Sequence, residues 1–182
     1  SSRTPTWLAA LGFPSPREDR VRVDVAYASR RYRMAADSLG GDLAIINAPT
    51  PEAPRTGALG LLEAGTAIVT LAGVCGDRPP LDPGGFEDFA RSLATQDIGE
   101  AIAGAEPVDD PVPHRFPATT WRRYDRLRSV REGCAVVGDG LCSLIPVYGQ
   151  GMSVAALEAQ ALDRRRARCG RLRARRVGGH GV

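Results

Sequence analysis

The residues best suited to chemistry lie between Val136 and Leu162, in the run VVGDGLCSLIPVYGQGMSVAALEAQAL. Ala135-Val136-Val137 is a short apolar segment that ends in Gly138-Asp139. A buried parallel strand ends in this way, and ligands of open α/β sheets bind just beyond the carboxyl ends of such strands. There Gly138 would let backbone and ligand approach closely, while Asp139 would offer an acceptor to a hydroxyl. After a loop through Ile145 come Pro146 and then Gly149-Gln150-Gly151-Met152, whose glycines open a helix expected over Ser153–Leu162. A glycine turn at a helix start leaves backbone N–H groups unpaired and carries the positive end of the helix dipole. That setting suits an anion, or a ring edge that gains negative charge on reduction. On residue types and spacing alone, two readings stand side by side. One is a site for a polar, partly anionic ligand; the other is an ordinary strand–loop–helix with a glycine turn.

Other chemistry-bearing residues carry weaker signals. His114 and Arg115 sit in the extended, proline-rich stretch Pro107–Pro117, where a single histidine is more often a surface or packing residue than a base. Trp121-Arg122-Arg123-Tyr124-Asp125-Arg126 interleaves aromatic and cationic residues, a pattern that can bind nucleic acid. The commoner outcome is inward-packed rings with guanidiniums that pair with nearby acids, so nucleic acid is not an expected partner. The four cysteines, Cys75, Cys134, Cys142 and Cys169, have neither the CxxC spacing of a metal site nor the pattern of a secreted disulfide framework. No metal site is expected. Cys142 alone falls inside the chemically interesting loop, where it reads as a small packing residue.

The elements that must position these residues are legible upstream. Thr6–Gly12 reads as a short helical segment stopped by Pro14 and Pro16. Val21, Val23, Val25 and Tyr27 alternate with polar residues, the pattern of a half-buried strand. Leu43–Ala48 is a second strand, and 58–62 with 67–74 form a hairpin around Glu63–Thr66. Short connections of this kind imply a mainly antiparallel sheet, one face covered and the other free to line a pocket. Beyond the turn-rich 76–85, Phe86, Phe89, Ala90 and Leu93 make the apolar stripe of one helix, and Ile98, Ala101, Ile102 and Ala105 that of another. Both stripes face a core.

Composition sets the outer limits. The 182 residues are 43% hydrophobic and 25% charged, ordinary for a globular domain. All 24 basic residues are arginine, and eight of them fall in 163–182 beside one acid, Asp163. That leaves 16 arginines against 20 acids in 1–162, so the net +3 hides an acidic body of −4 and a basic tail. A run of like charge at a chain end reads as a solvated, disordered tail before it reads as a binding arm. The apolar stretch 57–74 is broken by Glu63 and glycines, so no membrane span is expected, and a cytoplasmic protein is the default.

GDGLCSLIPVYGQGM resembles the second FAD-binding motif of the p-hydroxybenzoate hydroxylase-like flavoproteins, the class A aromatic-ring monooxygenases and their relatives. Their pattern is G-D-A, five variable residues, then P-x-x-G-Q-G-[ML]-[NST]; Leu141–Ile145 supply the five here. A bacterial subgroup of FAD-dependent oxidoreductases is also similar through RRYDRL (122–127), VVGD (136–139) and PVYGQGMSVAALEA (146–159), with weaker likeness at VTLAG (69–73) and FEDFARSL (86–93). The resemblance implies that Asp139 hydrogen-bonds the ribityl chain of FAD, with Gly138 giving it room. Pro146 would lie beside the isoalloxazine ring, and Gly151 and Met152 would offer N–H groups to its pyrimidine edge from the turn shaped by Gly149 and Gln150. Two positions depart from the pattern: Gly140 replaces the usual alanine and Ser153 an asparagine common in the larger family.

The family's strand–GxGxxG–helix for the ADP part of FAD is not recognisable in this chain, nor is its middle DG motif. The expected fold is therefore α+β with an α/β element: a mainly antiparallel substrate-domain sheet with helices over 1–132, the last FAD-contacting strand–loop–helix over 133–162, and the arginine-rich tail 163–182. The function implied is an FAD-dependent, monooxygenase-like oxidation of a small organic substrate, with NAD(P)H as reductant in an intact relative, present as a C-terminal portion that lacks the GxGxxG half. That missing half would be its partner. Catalytic acids and bases are not assignable, and only Tyr148 and His114 merit a test. Halogenation or saturation of an isoprenoid double bond are rival reactions of the same superfamily. A non-catalytic remnant, or an interaction module with a basic tail, is the rival of another class.

Overall fold

The computed structural model describes residues 3–127 and 135–177; Cys134, the side chain of Cys169 and residues 178–182 lie outside the described residues. Helix α1 spans Thr4–Ala10, with Pro5 in its first turn. Strands β1 (Glu18–Arg33), β2 (Ala44–Asn47), β3 (Thr56–Leu62) and β4 (Thr66–Gly73) follow. Helices α2 (Pro83–Arg91) and α3 (Asp97–Ile102) precede β5 (Val112–Arg122). The chain then runs through short 3-10 turns and the two-residue β6 (Cys142–Ser143) into α4 (Gln150–Val177). The strands form one sheet in the order β2-β3-β4-β1-β5-β6, with antiparallel pairing of β1–β4, β2–β3, β3–β4 and β5–β6. The antiparallel α+β architecture expected from the short connections is the one observed.

The chain divides into two compact units, Val23–Pro117 and a second formed by 1–22 with 118–182. The expected boundary at 132–133 falls inside the second unit. In the first unit α2 and α3 cover one face of the sheet. Phe86, Phe89, Ala90, Leu93, Ile98 and Ile102 bury themselves against Ala28, Tyr32, Leu59, Val69 and Leu71. Both helical stripes thus face the core, as their spacing requires. Asp82 starts α2 as an N-cap, its carboxylate accepting the Gly85 N–H at 2.7 Å, and Pro83 occupies the first helical position. The β3–β4 hairpin turns on Ala64 and Gly65, both at positive φ.

Three expectations need correction. Val21, Val23, Val25 and Tyr27 do not share a buried face: Val21 is 64% exposed, while Val25, Ala28, Arg30 and Tyr32 are buried. Asp24 lies at φ +41°, a left-handed residue within β1. No strand forms at 135–137, and Val137 is 44% exposed. A parallel strand needs hydrogen-bonding neighbours on its flanks, and the ladder beside this segment is instead the antiparallel pairing of β6 with β5 at Thr120–Ser143 and Trp121–Cys142. Finally, α4 begins at Gln150 and continues to Val177, taking in arginines that the sequence reading left in an unstructured tail. Among the described residues no helix is long and apolar enough to cross a membrane.

Candidate functional site

The second unit holds all seven residues expected to contact a flavin. Gly138 and Asp139 form a 3-10 turn with Gly140, and Leu141 N–H closes it on Gly138 O at 2.8 Å. Gly138 has φ +61°, a conformation natural to glycine and strained for any other residue. A Cβ placed there would meet nothing within 4 Å, so the space above the turn is open. Asp139 is exposed. Pro146 opens a second 3-10 turn, Pro146–Tyr148, which Gly149 ends at φ +62° with its N–H on Pro146 O at 3.0 Å. Gln150, Gly151 and Met152 are the first residues of α4. Their N–H groups are among those a helix leaves without intrahelical acceptors, and Met152 is 83% exposed. Tyr148 is 65% exposed beside them.

A set of side chains not singled out as site residues holds this loop. Arg122 is 8% exposed at the end of β5. Its Nε donates to Glu18 Oε1 at 3.0 Å, and its Nη1 donates to Asp139 O at 2.8 Å and Gly140 O at 3.4 Å. Its backbone N–H reaches Leu141 O at 2.9 Å. From α4, Glu158 Oε2 accepts the Gly138 N–H at 2.5 Å. Thr119 Oγ1 accepts the Ile145 N–H at 3.2 Å. The Gly-Asp turn is therefore gripped through its backbone from β5 and from α4, while its own carboxylate stays exposed. Cys142 lies between these groups, and burial, then the Glu158 carboxylate, pushes its thiol up, which suits packing rather than nucleophilic work. In the RRYDRL run the guanidiniums do pair with acids: Arg123 bridges Asp19 at 3.2 Å and Asp125 at 2.8 Å. Of the two rings, Tyr124 is buried, but Trp121 is 45% exposed with the Arg123 guanidinium stacked 4.1 Å over it.

In the first unit, beside Ala26 and Tyr27 of β1, lies an open cavity of about 330 Å³. Tyr27 and His114 line it with ring centroids 6.1 Å apart, beside Arg78, Arg115, Pro79 and Leu81. His114 thus belongs to a concave surface, although the sequence alone favoured a plain surface or packing role. Arg115 is held by Asp24 through bonds of 2.6 and 2.8 Å. Nothing in the alternation of β1 marked Tyr27 as more than a strand residue, and Arg78 is hidden in a proline-rich connector.

No protein-family model matches the chain. It is 33% identical over 163 residues to Protein Rv3254 of Mycobacterium tuberculosis, a match covering 90% of this chain and 34% of that protein. The chain therefore spans about a third of the length of this curated relative. A triple mutant of the flavin-dependent brominase Bmp2 superposes with a TM-score of 0.57 at 14% identity, covering 82% of this chain and 37% of that one. A flavoprotein/dehydrogenase from Cytophaga hutchinsonii gives 0.55 at 11% identity, covering 85% and 36%. The chain shares its fold with a little over a third of each of these two proteins. At such identities the likeness extends to the fold alone.

Proposed function

We propose that this chain is the C-terminal portion of an FAD-dependent, monooxygenase-like oxidoreductase that oxidises a small organic substrate, the GxGxxG half of the cofactor site lying outside it. The observation that carries the reading is the pairing of an open, left-handed Gly138-Asp139 turn with the Gly151-Met152 start of α4, in a chain with a flavoprotein fold. An exposed acceptor, a glycine that leaves room and unpaired helix-start donors are the donor and acceptor set that a ribityl chain and the pyrimidine edge of a flavin require. FAD, once bound, supplies the redox chemistry, with NAD(P)H as the reductant. Asp139 accepts the ribityl hydroxyls. The N–H groups of Gly151 and Met152, with the helix dipole behind them, stabilise negative charge at the ring edge. Pro146 would lie beside the ring, and Gly149 and Gln150 would shape the turn that holds it. Arg122 and Glu158 act as positioning residues, since they touch only the backbone of the turn.

Titration of residues 1–182 with FAD, followed by flavin fluorescence and by thermal unfolding, tests the proposal. Binding that raises the melting temperature, and that Asp139→Ala weakens about tenfold or more, supports it. A colourless protein that gains no stability from added FAD would overturn the flavin reading for this chain and leave a non-catalytic remnant.

A further inference from the structure

Arg122 has two carboxylates to choose between in the second unit, and it has taken only one. Its side chain is 10% exposed and spreads its donors over three acceptors. Nε donates to Glu18 Oε1 at 3.0 Å, and Nη1 to the main-chain oxygens of Asp139 at 2.8 Å and Gly140 at 3.4 Å. Asp139 thus receives the guanidinium through its carbonyl. Its carboxylate is exposed and makes no hydrogen bond or ion pair with any described residue. Charge alone would favour the opposite arrangement, because a guanidinium binds a carboxylate more strongly than an amide oxygen. The Asp139 carboxylate hangs from the very residue that Arg122 already touches. What sets the preference is Glu18, at the start of β1. Its side chain is only 24% exposed, so its pair with Arg122 is screened less than one with the exposed Asp139. Arg20 Nε donates to the other oxygen of Glu18 at 2.9 Å and fixes that carboxylate in turn. Neighbouring acids are engaged elsewhere: Asp19 and Asp125 with Arg123, and Glu158 with the Gly138 N–H.

We propose that Glu18 is a positioning residue for the Gly-Asp turn: by occupying Arg122 it keeps the guanidinium on the backbone of the turn and leaves the Asp139 carboxylate free to accept the hydroxyls of a bound ligand. With Glu18 neutral, Arg122 turns to Asp139, and an internal ion pair consumes the acceptor. The role toward a hydroxylated ligand rests on the flavin reading of the site, whereas the choice of carboxylate by Arg122 is a property of the unit itself. Glu18, Arg122 and Asp139 all belong to that unit.

A double-mutant cycle on the full chain separates this role from a merely structural one. Glu18→Gln keeps the shape and an acceptor while removing the charge, and Asp139→Asn does the same at the turn. In thermal unfolding without flavin, Asp139→Asn is expected to move the melting temperature of the parent by less than about 1 °C, since its carboxylate has no ion pair to lose. In Glu18→Gln the same change should lower it by about 2–4 °C, because the newly formed pair is lost. The Arg122 Nε–H signal in ¹H–¹⁵N spectra should likewise respond to Asp139→Asn only in the Glu18→Gln background. FAD affinity, followed by flavin fluorescence, should fall about fivefold or more in Glu18→Gln. With Asp139→Asn already present, Glu18→Gln should change it by less than about twofold. Equal effects of Asp139→Asn on the two backgrounds, in melting temperature and in the Arg122 signal, overturn the proposal. So does a loss of FAD affinity on Glu18→Gln that persists undiminished beside Asp139→Asn. A parent chain that binds no FAD overturns the flavin reading instead, and the flavin-free cycle then decides the role of Glu18 by itself.

Discussion

At the scale of single residues, Gly138 separates two costs that are usually entangled. Its φ of +61° makes any side chain strained, yet a Cβ there would touch no protein atom within 4 Å. Gly138→Ala should therefore cost only about 1 kcal/mol of stability, the left-handed penalty, in a urea titration. If the flavin packs against this turn, FAD affinity should fall by much more than that penalty accounts for, because the new methyl occupies the ligand's space. Equal losses in stability and affinity would remove Gly138 from the cofactor site. Tyr27 makes a second residue-level case. Burial pushes its phenol up to about 12. An ordinary tyrosine ionises near 10, so the folded state holds this proton more tightly than the unfolded chain. The corresponding stability is intact below about pH 10 and is lost as the pH rises through about 12. Tyr32 shifts in the same direction, also through burial. Tyr27→Phe should accordingly reduce, without abolishing, the alkaline fall in denaturation midpoint between about pH 10 and 12.

The elements show what a sequence can and cannot disclose. The hairpin, α2 and α3 were readable because each carries a local signal: a turn at Glu63–Thr66, a 3.6-residue stripe from Phe86, and another from Ile98. Asp24 is a different matter, since nothing local announces a left-handed residue within β1. Ala135–Val137 has the composition of a buried strand, but strand formation depends on neighbours that a local window does not contain. In the site, the glycines and Asp139 stood out by type and spacing. Arg122 and Glu158 did not, because their work is to hold backbone carbonyls and an N–H distant in sequence. The packing of α2 and α3 on the sheet makes a firm prediction at Gly57, where a Cβ would come within 2.7 Å of Leu93 Cδ1 and 3.0 Å of Ile98 Cδ1. Gly57→Ala should overpack this contact and destabilise the protein by about 1–3 kcal/mol in chemical denaturation. Arg122 anchors the other unit. Arg122→Met removes its bond to Glu18 and leaves two carbonyls unsatisfied, at a cost of about 2–4 kcal/mol. It should also loosen the Gly-Asp turn, visible as faster amide exchange at Leu141, whose N–H closes that turn.

For the whole molecule, the question is how much of a dinucleotide this chain can recognise. The residues assigned to the flavin, Gly138 and Asp139 with Pro146 and 149–152, address only the ring and the ribityl chain. The sequence contains no GxGxxG, and the match to the Mycobacterium tuberculosis relative covers only 34% of that protein. An adenine and a pyrophosphate with no partners contribute nothing to affinity, whatever the flavin end contributes. The chain by itself should therefore bind riboflavin, FMN and FAD with dissociation constants within about threefold of one another, a difference of well under 1 kcal/mol. Fluorescence titrations with the three flavins measure this directly. The same series in a protein that also carries the dinucleotide-binding half should favour FAD by orders of magnitude, because the ADP moiety then gains a helix N-terminus of its own. If the isolated chain already prefers FAD over FMN by about tenfold or more, it holds an ADP site that its glycine pattern does not reveal. The arginine-rich end of α4, which carries the positive charge of the molecule, would then be the first place to look for it. Salt dependence would decide the matter. A phosphate contact made by those arginines weakens steeply as ionic strength rises, whereas ring and ribityl contacts do not.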